Sequence, residues 1–229
     1  MILMIHGAGA TSLSFNYISL WLDQELQTID YKVGESMEDI FKRIENPDEV
    51  TYILGHSYGG LVGATWLDRN PDSNVKGLIT IASPWQGSPT ARILNWFLSD
   101  PVWHDMKPGS ELLKAVNDIQ LELPVKNLIA NPEQGGNGLA GRSTNDGTIP
   151  VDSARNVPAG FTRCRSVEIQ HGHSEILQSW ETIEEIRKFV DDPIGDTATE
   201  STLRIARANI RPKFKPDQQP IKEPFIKGY

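Results

Sequence analysis

The chain has 229 residues, of which 38% are hydrophobic and 23% charged, with a net charge of -8 and one cysteine. That length and composition describe a globular protein with a single core, not a disordered or fibrous chain. The acidic balance excludes a nucleic-acid surface, which needs clustered Lys and Arg, and Cys164, being alone, excludes an internal disulfide and a cysteine metal site.

In chain order, residues 1–5 are apolar but lack a basic flank and a small-residue cleavage site, so they read as a buried strand and not as a signal peptide. With no run long enough to span a membrane, cytoplasmic residence is the default expectation. Further strands are predicted at 28–31, 51–54, 77–81, 125–130 and 166–169. Helix-like stretches separate them, the pattern of a parallel sheet with crossover helices. Residues 36–44 place Met37, Ile40, Phe41 and Ile44 on one helical face behind Ser36 as N-cap. Residues 60–68 form a helix that stops before Asn70-Pro71. The last helix, 179–190, turns Trp180, Ile183, Ile186, Phe189 and Val190 inward.

Two regions break this rhythm. Residues 86–123 are too long for a simple connection; they carry Trp96, Phe97, Val102, Trp103 and Met106, then a helical run at 110–119. They form either a packed helical cap or a lid over an apolar site. Beyond a main domain at 1–195, residues 196–229 read as a C-terminal extension. Residues 204–229 hold seven Lys or Arg against Asp217 and Glu223. Prolines at 212, 216, 220 and 224 bar helix and central strand there. This basic arm lies on the acidic body, bridges to a second subunit as a homo-oligomer contact, or stays solvated.

The chemistry starts at Gly55-His56-Ser57-Tyr58-Gly59, a G-x-S-x-G pattern between an apolar strand and a small-residue helix. A sharp strand-to-helix turn there projects the Ser57 hydroxyl above the sheet. The serine needs a base. His6 and His56 sit inside glycine motifs and His104 in the insertion, which leaves His171 and His173; His173, after the flexible Gly172, is favoured. Asn145-Asp146-Gly147 supplies a carboxylate in a turn, with Asp152 in reserve. Backbone N–H groups of Tyr58, after the nucleophile, and of Ala8, in His6-Gly7-Ala8-Gly9, are the candidate oxyanion donors. Trp85, Trp96, Phe97 and Trp103 are the candidate lining of an apolar acyl pocket.

These pieces, with Ile81-Ala82-Ser83-Pro84, Gly87-Ser88 and Pro108-Gly109-Ser110, resemble the lipase and esterase branch of the α/β-hydrolases, particularly small bacterial triacylglycerol lipases. The order Ser57, Asp146, His173 is the order those proteins use. The resemblance implies an α/β-hydrolase fold: a compact, mostly parallel sheet of about six strands, helices on both faces and a helical cap. It also implies hydrolysis of small-molecule or lipid carboxylic esters through an acyl-enzyme on Ser57, with no cofactor and no metal. A thioesterase or amidase on the same residues, a lyase or acyltransferase, and a non-catalytic binding protein are the alternatives.

Overall fold

The computed structural model describes residues 1–91, 100–132, 145–198 and 204–206. Its centre is a seven-stranded sheet, entirely parallel, in the order β2-β1-β3-β4-β5-β6-β7. The strands are β1 (Ile2–Ile5), β2 (Leu26–Ile29), β3 (Tyr52–His56), β4 (Gly77–Ile81), β5 (Val125–Ala130), β6 (Cys164–Ile169) and β7 (Arg204–Ala206). Parallel strands covered on both faces read as continuous apolar runs, and β1, β3, β4 and β5 are buried at every position.

Side chains alternate between the two faces of each strand. Leu3, Ile5 and Ile53 enter one core with Tyr58, Leu61, Val62 and Leu67 of α3 (Tyr58–Arg69), Ile40 of α2 (Met37–Phe41), and Leu113 and Val116. Ile2, Met4, Leu54 and Ile79 face the other way. They meet Ile18 of α1 (Asn16–Ser19), and Ile183, Ile186 and Phe189 of the helix Trp180–Asp191. Ser36 caps α2 as expected, accepting from the Asp39 N–H.

Within the insertion, α4 (Pro101–Asp105) and α5 (Glu111–Asp118) are packed helices, and Ser110 caps α5 by accepting from the Leu113 N–H. Val102, Met106, Leu113 and Val116 are all buried in the core. Trp96 and Phe97 lie outside the described residues.

Ordered structure continues across the predicted C-terminal boundary. Residue 195 falls inside the helix Pro193–Ala198, and β7 pairs parallel to β6, with Val167 opposite Arg204. The prolines begin at 212 and leave 204–206 free to form an edge strand. Helix Pro193–Ala198 is tied to the body because Asp196 reaches buried Lys126 at 2.5 Å and Arg165 at 3.3 Å. The rest of the basic arm lies outside the described residues.

Candidate active site

All the loops that matter leave the sheet at the C-terminal ends of its parallel strands, where open α/β sheets gather ligands. Strand β3 ends at His56 and α3 begins at Tyr58, so the elbow is Ser57 alone. Its backbone sits at φ 52°, ψ -121°, a left-handed value that L-residues keep only where the surroundings force it. Two glycines allow this. A Cβ at Gly55 would lie 2.4 Å from the carbonyl of Gly59, and one at Gly59 would lie 2.0 Å from the carbonyl oxygen of Ile5. The helix therefore rests directly on strand β1. Tyr58 is the first residue of the helix, where a backbone N–H has no intrahelical acceptor.

His173 and Asp146 meet by hydrogen bonding at 2.7 Å, His173 Nδ1 to Asp146 Oδ2. The other carboxylate oxygen accepts from the N–H of Thr148 at 2.9 Å and of Ile149 at 2.6 Å. The two loops are also joined through backbone, His173 N–H to the Asp146 carbonyl at 2.9 Å. The acid thus sits in a turn closed by an Asn145–Pro150 bridge. His171 bonds back to the Ile169 carbonyl, and Asp152 is an exposed partner of Arg155.

Ser57 and His173 line one cavity of about 220 Å³. Gly7, Ala8 and Ala10 form one side, and Ala91, Trp103 and Met106 an apolar wall. A Cβ at Gly7 would stand 3.0 Å from Ser57 Cβ, so this glycine lets the loop bearing Ala8 come up against the serine. Of the predicted indoles, Trp103 lines this cavity and Trp85 does not. Trp85 is fully buried, its indole edge-on to Phe161 at 5.3 Å and its N–H donating to Asn127 Oδ1 at 3.3 Å, so it belongs to the core and offers no surface to a ligand.

Two histidines outside the predicted set shape the site. His56 donates its Nε2–H to the His173 carbonyl at 2.9 Å, and its ring lies 4.8 Å from the His173 ring. Burial first, and the neighbouring His173 second, push His56 down to about 3, so it stays neutral. Buried His6 is also lowered, chiefly by desolvation. Its Nδ1 faces the Gly7 carbonyl and its Nε2 receives the Tyr31 N–H, which fixes the tautomer with the proton on Nδ1. Their positions inside glycine motifs were the signal that they shape turns; what they touch is visible only in three dimensions.

The insertion is fastened around the cavity. Tyr58 donates its hydroxyl to Asp105 at 2.6 Å, and burial raises the Asp105 carboxyl against the lowering effect of that bond. The Thr148 carbonyl, beside the acid, accepts from the hydroxyls of Ser88 at 3.0 Å and Thr90 at 3.3 Å. Among the described residues no cluster of His, Cys, Asp and Glu fits a metal ion, and no helix is long and apolar enough to cross a membrane.

The sequence model of the α/β hydrolase fold family matches residues 29–106, a stretch that includes the elbow and α4. No curated protein sequence matches the chain. Among solved structures, the mature lipase BlEst2 of Bacillus licheniformis is similar, with TM-score 0.60 and 16% identity over 83% of this chain and 90% of that one. The esterase RhEst1 of a Rhodococcus species is similar at TM-score 0.53 and 13% identity, over 84% of this chain and 90% of that one. Phospholipase PlaB of Legionella pneumophila aligns at TM-score 0.52 and 16% identity over 67% of this chain, which spans only 45% of that protein. Identities this low carry the architecture and not the reaction. With its parallel sheet, its elbow between β3 and α3 and the family match across that elbow, the chain has the α/β-hydrolase fold.

Proposed function

We propose that this protein is a serine hydrolase cleaving carboxylic esters through an acyl-enzyme on Ser57. The observation that carries this reading is the His173–Asp146 hydrogen bond of 2.7 Å at the cavity that Ser57 also lines. In this mechanism Ser57 Oγ attacks the ester carbonyl carbon as His173 takes its proton. Asp146 holds the imidazole with its Nδ1 proton inward, and the N–H groups of Ala8 and Tyr58 receive the oxyanion. His173 then protonates the departing alcohol. Water, losing its proton to the same imidazole, splits the acyl-enzyme and releases the acid.

Ester substrates are favoured because fold neighbours include a lipase and an esterase by name. The cavity volume of about 220 Å³ lies below the usual range for ligand pockets and favours small acyl groups against Trp103 and Met106.

The test is hydrolysis of p-nitrophenyl esters from acetate to palmitate, with Ser57→Ala in parallel. Turnover that peaks at the short esters and vanishes in Ser57→Ala is the expected result. Wild-type turnover surviving in Ser57→Ala removes the assignment. A folded protein inert to every ester moves it to thioesters, amides or a non-catalytic role.

A further inference from the structure

The loop from His6 to Ser12 carries Ala8, yet little at its tip holds it. Gly9 is exposed with φ +71°, and no atom lies within 4 Å of where its Cβ would be. One turn bond, Ala10 N–H to the Gly7 carbonyl at 3.1 Å, spans the tip. Apart from the packing of Ala8 on the core, the position of its amide is therefore set by the loop's ends. Both ends are held by two consecutive residues that follow strand β2. At the first end, Tyr31 donates its hydroxyl to the His6 carbonyl at 2.8 Å and its N–H to His6 Nε2 at 3.2 Å. Its ring also stacks on the imidazole at 4.2 Å with planes 5° apart. At the second end, Asp30 accepts from the Ser12 N–H at 2.5 Å and the Ser12 hydroxyl at 2.8 Å.

We propose that Asp30 and Tyr31 are positioning residues for the oxyanion donor at Ala8, clamping the loop that bears it at both ends. The inference rests on the serine-hydrolase reading. Neither residue lines the cavity, so each acts through the loop and not on the substrate. Hydrogen-bond donors aimed at developing charge help only if fixed before it appears. A shift of about 1 Å in such a group costs roughly 100-fold in rate. The clamp therefore affects the transition state and leaves ground-state ester binding alone.

The experiment uses the full chain with Tyr31→Phe, which keeps the ring stack, and Ser12→Ala, which removes half of the second clamp. Each is assayed for kcat and KM on p-nitrophenyl acetate, for inhibition by phenylboronic acid, and for thermal unfolding. The boronate forms a tetrahedral adduct on Ser57 and so reads the oxyanion site directly. The expected result is a fall in kcat of about 10- to 100-fold, KM within about twofold, and a boronate inhibition constant weakened by the same factor as kcat. Unchanged kcat and boronate inhibition in folded variants overturns the clamp, as does a loss of activity that leaves boronate affinity intact. If wild-type protein neither hydrolyses the ester nor reacts at Ser57 with a fluorophosphonate, the hydrolase reading fails first and takes the clamp with it.

Discussion

Replacing Asp146 by Asn tests the site at its most constrained atom pair. One carboxylate oxygen accepts two backbone N–H groups, from Thr148 and Ile149, while the other faces His173 Nδ1. An asparagine has one acceptor end and one donor end. Turning its NH₂ toward Thr148 and Ile149 would oppose donor to donor twice, so its oxygen stays there and its NH₂ points at His173. Nδ1 must then accept, which moves the imidazole proton to Nε2, the nitrogen needed as base toward Ser57. The loop keeps both backbone bonds and the fold survives. Loss of the right tautomer is worth about 10⁴ in kcat, or about 5.5 kcal/mol of barrier. The assay is kcat on a short p-nitrophenyl ester beside a thermal unfolding curve. A folded Asp146→Asn protein within about tenfold of wild type would refute the tautomer argument.

Two further expectations concern stability. Gly59→Ala puts a Cβ 2.0 Å from a backbone oxygen of β1, whereas Gly63→Ala meets the Ile53 side chain at 2.8 Å. Gly59→Ala should therefore cost more than Gly63→Ala, which falls in the overpacking range of about 1–3 kcal/mol; equal unfolding midpoints in urea would contradict this. Lys126, fully buried, faces Glu185 at 2.9 Å and Asp196 at 2.5 Å. Lys126→Met should destabilise by about 3 kcal/mol, read as a thermal midpoint lowered by roughly 6–12 °C with short-ester kcat retained. Burial works to raise the Glu185 carboxyl, but Lys188 and Lys126 together hold it below its ordinary value. The stability from this depressed group is present above the ordinary glutamate range and is lost as pH falls through the lower folded value. The penalty of Lys126→Met should therefore shrink in acid; a penalty constant with pH would contradict this linkage.

Much of the sheet was legible because its strands are buried on both faces. β1 and β4 begin and end where their apolar runs do, and β5 spans the predicted 125–130 although Lys126 and Asn127 interrupt its apolar pattern. β2 starts two residues before the predicted 28–31, because Gln27 and Thr28 separate Leu26 from Ile29 and leave no continuous apolar run at this edge strand. β6 starts at Cys164, earlier than read, since Arg165 and Ser166 interrupt the apolar pattern. The glycine-flanked serine and the Asp-Gly turn carried chemistry in their residue types, and the structure brings Asp146 to His173. The indoles were not separable that way: Trp103 and Trp85 are equally apolar in sequence, and only packing puts one at the cavity and the other wholly inside the core. Tyr31 and Asp30 gave no signal, because their partners are remote in the chain.

The carbonyl of Thr148, holding Ser88 and Thr90, makes a seam between the cavity end of the sheet and the insertion. A second seam lies across the cavity, where the Val102 N–H meets the Val33 carbonyl at 3.4 Å and Tyr58 grips Asp105. Each seam acts as a rivet, one or two polar contacts joining stretches far apart in the chain. Cutting either one frees part of the cavity wall at Ala91 or Met106 and leaves the strands beneath untouched.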